Sequence, residues 1–189
     1  MDPFAALGLP RRYDIATDEL EGRYRQLQRA LHPDRHVRAS PGERRLRLAK
    51  AMEVNEAFRT LRDELQRANV LLELWGTRGE TKPPPDPEFL MRIMQLREAL
   101  SEAKTTHEAS RVRSLADRVG AMREEEIQVL RDGFRKLEGA RANGDRSHDI
   151  ERLEQALGRL RFYQRFLDET ALAEETLAAS AIPAVSGSS

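Results

Sequence analysis

Apolar residues recur at helical spacing through nearly the whole chain. Leu20, Tyr24, Leu27 and Leu31 are spaced four, three and four apart, which is one stripe of a helix over residues 18–31. Thr17 stands as its N-cap, and Asp18, Glu19 and Glu21 lie near its positive end. A second helix is expected over residues 42–62, with Leu48, Met52, Asn55, Phe58 and Leu61 on one side. Two amphipathic helices joined by a short Pro-containing loop bury their stripes by packing antiparallel. Phe4, Leu7 and Leu9, from a short helix at residues 3–7 closed by Gly8 and Pro10, then cover the open side. Residues 65–75 continue the periodicity with Ala68, Leu71, Leu72 and Trp75.

Three longer helices follow. At about 100° per residue, Phe89, Ile93, Leu96 and Leu100 share about 60° of arc on a helix over residues 86–104. The next, residues 107–137, places Val112, Leu115, Val119, Met122, Leu130, Phe134 and Leu137 mostly three and four apart. The last, residues 149–177, aligns Ile150, Leu153, Leu157, Leu160, Gln164 and Leu167, with Phe162 and Phe166 roughly opposite. Short connections make these an antiparallel three-helix bundle. The periodicity breaks at residues 31–42, 76–87 and 139–146; Pro83, Pro84 and Pro85 cannot lie inside a helix, since each lacks a backbone donor and clashes with the preceding turn. The expected organisation is all-α: an N-terminal domain 1–76, a linker 77–87, a bundle 88–178 and a frayed tail 179–189.

Charge changes this picture locally rather than globally. The 189 residues carry 32 Lys and Arg against 32 Asp and Glu, a balance unlike that of a nucleic-acid coat or a membrane-surface protein. Residues 22–50, however, hold nine Lys or Arg and two Asp or Glu. There is no cysteine, which excludes disulfides, thiolate metal sites and a Cys nucleophile. Neither a basic segment leading into an apolar one nor an apolar run approaching about 18 residues is present. The expectation is a cytoplasmic chain with no membrane partner.

The densest chemistry lies at His32-Pro33-Asp34, directly after the last stripe residue of the first long helix. Pro33 forces His32 out of helical geometry, so the helix ends near Leu31 and the loop exposes an imidazole and a carboxylate about a rigid residue. Arg23, Arg25 and Arg29 make the polar face of the feeding helix basic, which suits docking to an acidic partner. His32 and His36 have the spacing of a helical metal pair, but Pro33 denies the helix and no further ligands are near. A short helix, a Tyr- and Leu-striped basic helix, His-Pro-Asp, and a second helix ending in Asn55, Phe58 and Leu61 together resemble a J-domain. Asp2-Pro-Phe with Leu7-Gly-Leu-Pro10, then Leu61-Arg62, Glu64-Leu65, Arg67-Ala68, Leu71-Leu72 and Phe89-Leu90-Met91, resemble the HscB branch of that family over roughly residues 1–175. The resemblance implies that His32, Pro33, Asp34 and the Arg23, Arg25 and Arg29 face engage an ATPase chaperone of the HscA or DnaK type. Some members of the branch carry an N-terminal Cys-rich metal site; this chain does not.

Leu90, Met91 and Met94 fall outside the core arc of their helix, beside Glu98 and Glu102. Large apolar residues turned from the core within an acidic fringe form a candidate binding patch. In the HscB family the corresponding surface binds an IscU-type scaffold for iron–sulfur clusters, and the positions matching it here are Leu90, Met91, Met94, Glu98, Glu102 and Phe162. Gln95 stands where many relatives have an acidic residue. Phe162 and Phe166 either join this patch or complete a second packing seam. The resemblance thus implies a co-chaperone that activates a partner's ATPase and delivers a scaffold to it, with a J-protein for another client, or a nucleic-acid-binding helical protein, as rivals. No catalytic constellation is present: the four His are scattered, and no cofactor or metal is expected.

Overall fold

The computed structural model describes residues 1–32, 40–75, 86–139 and 146–181. The described residues form an all-α chain of seven helices: α1 (Pro3–Leu7), α2 (Thr17–Leu31), α3 (Pro41–Arg62), α4 (Glu64–Leu74), α5 (Pro87–Thr105), α6 (Ala109–Gly139) and α7 (Ser147–Ala181). They fall into two compact units, Met1–Glu80 with Arg131–Ile150, and Thr81–Leu130 with Glu151–Ser189.

In the first unit, Asp2 caps α1 by accepting from the Phe4 and Ala5 amides, and Gly8 closes it in the left-handed conformation at φ 64°. Phe4 and Leu7 are fully buried against the α2–α3 hairpin, whose own core is Leu20, Val54, Ala57 and Leu61. The expected stripe on α3 is corrected here: Leu48 and Met52 are 64% and 65% exposed. Leu61 is buried as expected, and Val54 and Ala57 join it in place of Leu48 and Met52, because their small side chains let α1 approach the C-terminal half of the helix closely. Asn55, counted as apolar spacing in the sequence, is half-buried and faces α2. At the α2 start Ala16, not Thr17, is the N-cap, and it makes no side-chain cap.

Two further features complete this unit. Tyr13, in the segment between α1 and α2, stacks on Phe134 of α6 with ring centroids 4.7 Å apart. Its amide donates to Glu138 Oε1 at 2.8 Å. Arg67 of α4 lies 5.2 Å from the Tyr13 ring centroid. Burial lowers the Arg67 pKa, with Tyr13, Glu64 and Asp14 pulling the other way. Glu64 itself pairs with Arg131 at 3.0 Å.

In the second unit α5, α6 and α7 run up, down and up. Glu102 near the end of α5 meets Arg111 at the start of α6. Glu126 of α6 takes both Arg159 Nε and Nη2, at 2.6 and 3.0 Å, from α7. Ile93, Leu96, Leu100, Val112, Val119, Ile127, Leu153, Leu157, Leu160, Tyr163 and Phe166 form the core. The α7 stripe therefore departs from the expected one at its middle, where Tyr163 and Phe166 are buried while Gln164 and Leu167 are only half-buried. The α5–α6 turn places His107 at φ 55°, a left-handed conformation unusual for a side-chain-bearing residue.

Candidate functional site

Two surfaces carry the residues singled out by the sequence, one in each unit. In the first unit, α2 ends as Pro33 requires: His32 is its C-cap, with extended backbone at φ −60° and ψ 131°, and its side chain is exposed. Pro33 and Asp34 lie outside the described residues. Ser40 caps α3 with a capping box: the Glu43 amide donates to Ser40 Oγ and the Ser40 amide donates to Glu43 Oε2. A polar cluster fastens the hairpin between these two ends. The Tyr24 hydroxyl donates to Asn55 Oδ1 at 2.9 Å, Gln28 Nε2 donates to both groups, and the Tyr24 ring stacks on Phe58 at 4.1 Å. The sequence signal for it was Gln28 one turn after Tyr24, a polar pair set into an apolar stripe.

The three arginines of α2 divide by position. Arg25 and Arg29 are exposed, about 140° and 180° around the helix from the buried Leu20. Arg25 makes a surface ion pair with Glu21, at 2.9 Å. Arg23 lies on the flank and is half-buried; its Nε donates to the Leu7 carbonyl at 3.2 Å and its Nη1 to Gln26 at 2.9 Å. It also closes over Gly8, where an added Cβ would collide with Arg23 Nη2. Arg23 therefore ties α1 to α2 while Arg25 and Arg29 face solvent.

In the second unit α5 begins at the Asp86 cap, whose side chain accepts from the Glu88 amide, with Pro87 in the first turn. Ile93, Leu96 and Leu100 are buried, whereas Leu90, Met91 and Met94 are 46%, 63% and 70% exposed. Glu98 and Glu102 are exposed beside them, and Glu102 is paired with Arg111 at 2.7 Å. Phe162 of α7 is half-buried, edge-on to Phe89 at 5.9 Å and under the Arg97 guanidinium, whose central carbon is 5.5 Å from the ring centroid. Phe166 is 2% exposed, so of the aromatic pair only Phe162 reaches the surface. Beneath, burial and then Glu126 push the Tyr163 phenol up, opposed by Arg92 and Arg159. Arg97 was missed in the sequence reading; its position at about 100° around α5 from Leu96, close to Leu90 at about 120°, was the available signal.

Among the described residues no group of three His, Cys, Asp or Glu is arranged to bind a metal. Among them, too, no helix is long and apolar enough to cross a membrane. The two surfaces are a charged hairpin face in one unit and an apolar, charge-fringed patch in the other.

The chain is similar to known proteins over nearly its whole length. Residues 85–171 match the family described as the HSCB C-terminal oligomerisation domain. The chain is 35% identical over 176 residues to the co-chaperone protein HscB homolog of Ralstonia nicotianae, covering 92% of this chain and 94% of that protein. It is 45% identical over 105 residues to the corresponding homolog of Bordetella petrii, a match spanning 54% of this chain and 62% of that one. Among solved structures, chaperone HscB from Vibrio cholerae matches with a TM-score of 0.75 and 28% identity, covering 94% of this chain and 99% of that one. Human co-chaperone protein HscB matches with a TM-score of 0.76 and 26% identity, covering 91% and 81%.

Proposed function

The chain belongs to the HscB family of co-chaperones, and from that premise we propose that it couples an iron–sulfur cluster scaffold to an ATPase chaperone in the cytoplasm. The hairpin face of His32, Pro33, Asp34, Arg25 and Arg29 docks on an HscA- or DnaK-type chaperone and stimulates its ATP hydrolysis. Arg23 contributes by holding α1 against the hairpin. The patch of Leu90, Met91, Met94, Glu98, Glu102 and Phe162 binds an IscU-type scaffold. The division of labour falls at the linker of residues 77–87, with residues 1–76 addressing the chaperone and 88–178 the scaffold. Hydrolysis is fast only when both contacts exist, so turnover is tied to the correct client. The chain itself activates and does not catalyse.

The observation that carries this reading is the exposure of Leu90, Met91 and Met94 on a helix whose Ile93, Leu96 and Leu100 are buried. Three adjacent apolar side chains kept in water cost free energy unless a partner covers them. The test is single-turnover ATP hydrolysis by purified chaperone, alone, with this chain, with an IscU-type scaffold, and with both. Stimulation by the chain and a further, more than additive increase with the scaffold are expected. No stimulation by the chain removes the chaperone half of the reading; stimulation without synergy removes the scaffold half.

A further inference from the structure

The chain holds five methionines and no cysteine, so thioethers are its only sulfur. Met91 and Met94 are 63% and 70% exposed, about one turn apart on the side of α5 away from the buried Leu96. Of the other three, Met1 and Met52 are exposed in the first unit, and Met122 is half-buried on α6. Met91 and Met94 are therefore the exposed thioethers that lie within the apolar patch. Leu90 beside them offers apolar area with no sulfur to oxidise.

An exposed thioether reacts with peroxides. A sulfur lone pair attacks one oxygen of hydrogen peroxide; an S–O bond forms as the O–O bond breaks, and the second oxygen takes the proton of the first and leaves as water. Sulfur loses two electrons and the peroxide gains them, so no further reactant is needed. The product, methionine sulfoxide, is a polar, chiral side chain in place of a flexible apolar one. Thiol-dependent reductases reverse the change: two thiols become a disulfide and the sulfoxide oxygen leaves as water. In the free chain the new S=O group stays in water, at positions that pack against little, so the fold loses almost nothing. Under a partner the same group is an acceptor buried among apolar atoms, and its desolvation goes uncompensated.

We propose that Met91 and Met94 form a modification site: peroxide converts them to sulfoxides, which releases the scaffold protein, and reduction restores docking. This rests on the scaffold-binding reading above and adds to it a reversible control of the same surface. Either sulfoxide alone sets a polar group within the patch, and the two together leave Leu90 as its remaining apolar anchor. The control is confined to one half of the chain. His32 and the basic face of α2 hold no methionine, so the chaperone half keeps stimulating hydrolysis while the scaffold is let go.

The test treats the full chain and a double variant, Met91→Leu with Met94→Leu, with hydrogen peroxide and then removes the peroxide. Untreated IscU-type scaffold protein from the same organism is titrated into each by calorimetry, and peptide mass spectrometry reads the oxygen gained at each methionine. The variant keeps Met1, Met52 and Met122, so oxidation there is common to both proteins. Leucine conserves apolar volume, so the untreated variant should bind within about tenfold of the unaltered chain. Peroxide should weaken binding by the unaltered chain at least about tenfold, as for a buried unpaired acceptor, and leave the variant's affinity unchanged. Melting temperatures of the two oxidised proteins should agree within about 2 °C. Methionine sulfoxide reductases of both epimer specificities, with dithiothreitol, should restore the lost affinity. Equal weakening of both proteins would overturn the proposal and leave scaffold binding intact. So would full affinity with both sites oxidised, affinity not regained once the reductases have removed the oxygen, or sites left unoxidised while Met52 gains oxygen. Absence of scaffold binding by the untreated chain would remove both readings.

Discussion

Truncating Leu90, Met91 and Met94 together to Ala distinguishes a docking surface from a core, because the two cases differ in both stability and affinity. Full burial of a Leu or Met side chain stabilises by about 1.5–3 kcal/mol. With 46%, 63% and 70% of these residues still exposed, much of that remains to be gained when a partner covers them. Roughly 1–2 kcal/mol for each methionine and about 1 kcal/mol for Leu90 give about 3–5 kcal/mol in all, or about two to three and a half orders of magnitude in Kd. Stability should change by about 0.5 kcal/mol or less per site, since exposed substitutions remove little packing. The control is Leu100→Ala one face away, 1% exposed, which should cost about 2–5 kcal/mol. At about 2–4 °C per kcal/mol for a chain of this size, the control should lower Tm by several degrees or more. Calorimetric titration with purified scaffold and thermal melts of all three proteins read the two effects separately. Basal chaperone stimulation should survive in the triple variant. A melt lowered as far as that of Leu100→Ala would show that these residues are packed in solution; an intact fold with unchanged affinity would move the scaffold site elsewhere.

Other expectations follow from the same geometry. His32→Gln should abolish ATPase stimulation with an unchanged circular-dichroism spectrum, since the side chain is exposed at a helix end; full stimulation by the variant would rule out the loop mechanism. Arg25→Glu with Arg29→Glu should slow chaperone association and weaken its salt dependence, measured by stopped flow, because steering scales with the product of the charges. Gly8→Ala should destabilise by at least about 1 kcal/mol through the left-handed backbone, with crowding of Arg23 added, seen as a lower urea midpoint. His107→Gly should instead raise Tm by a few degrees, since about 1 kcal/mol of left-handed strain is relieved; a lowered Tm would show that the imidazole contributes more than the strain costs.

Much of this architecture was readable because its large apolar residues are spaced for a helix. Ile93, Leu96 and Leu100 are legible on α5 because nothing else on that helix offers a competing stripe of equal regularity. On α3, Leu48, Met52 and Asn55 form a stripe as regular as Val54, Ala57 and Leu61, and spacing does not say which of two faces meets α1. Backbone proximity decided, favouring the smaller residues, and that depends on a partner element invisible in local sequence. The same limit affected α7, where Tyr163 and Phe166 displaced Gln164 and Leu167 at the helix interface. For the sites, exposure of Leu90, Met91 and Met94 followed directly from helical arithmetic. The three arginines of α2 share a charge but not a direction, and Arg23 turned inward because the Leu7 carbonyl, freed at the end of a five-residue helix, needed a donor. No pattern within α2 could have supplied that.

The stacking of Tyr13 on Phe134 bears on the order in which the chain can be made and folded. A ribosome extends the chain from its N-terminus, so Tyr13 emerges long before the helix that covers it. At about 5–20 residues per second, the roughly 60 residues between the end of α4 and Leu137 take several seconds to add. Throughout that interval the nascent α2–α3 hairpin has its charged face complete but one flank of its apolar interior open. Tyr13, 2% exposed at the end of synthesis, is then an aromatic side chain in search of cover. A chain broken off before α6 would carry that open flank permanently, with its charged hairpin otherwise intact. Closure of the first unit is therefore a late event, and most of the second unit's sequence must be translated before it can occur.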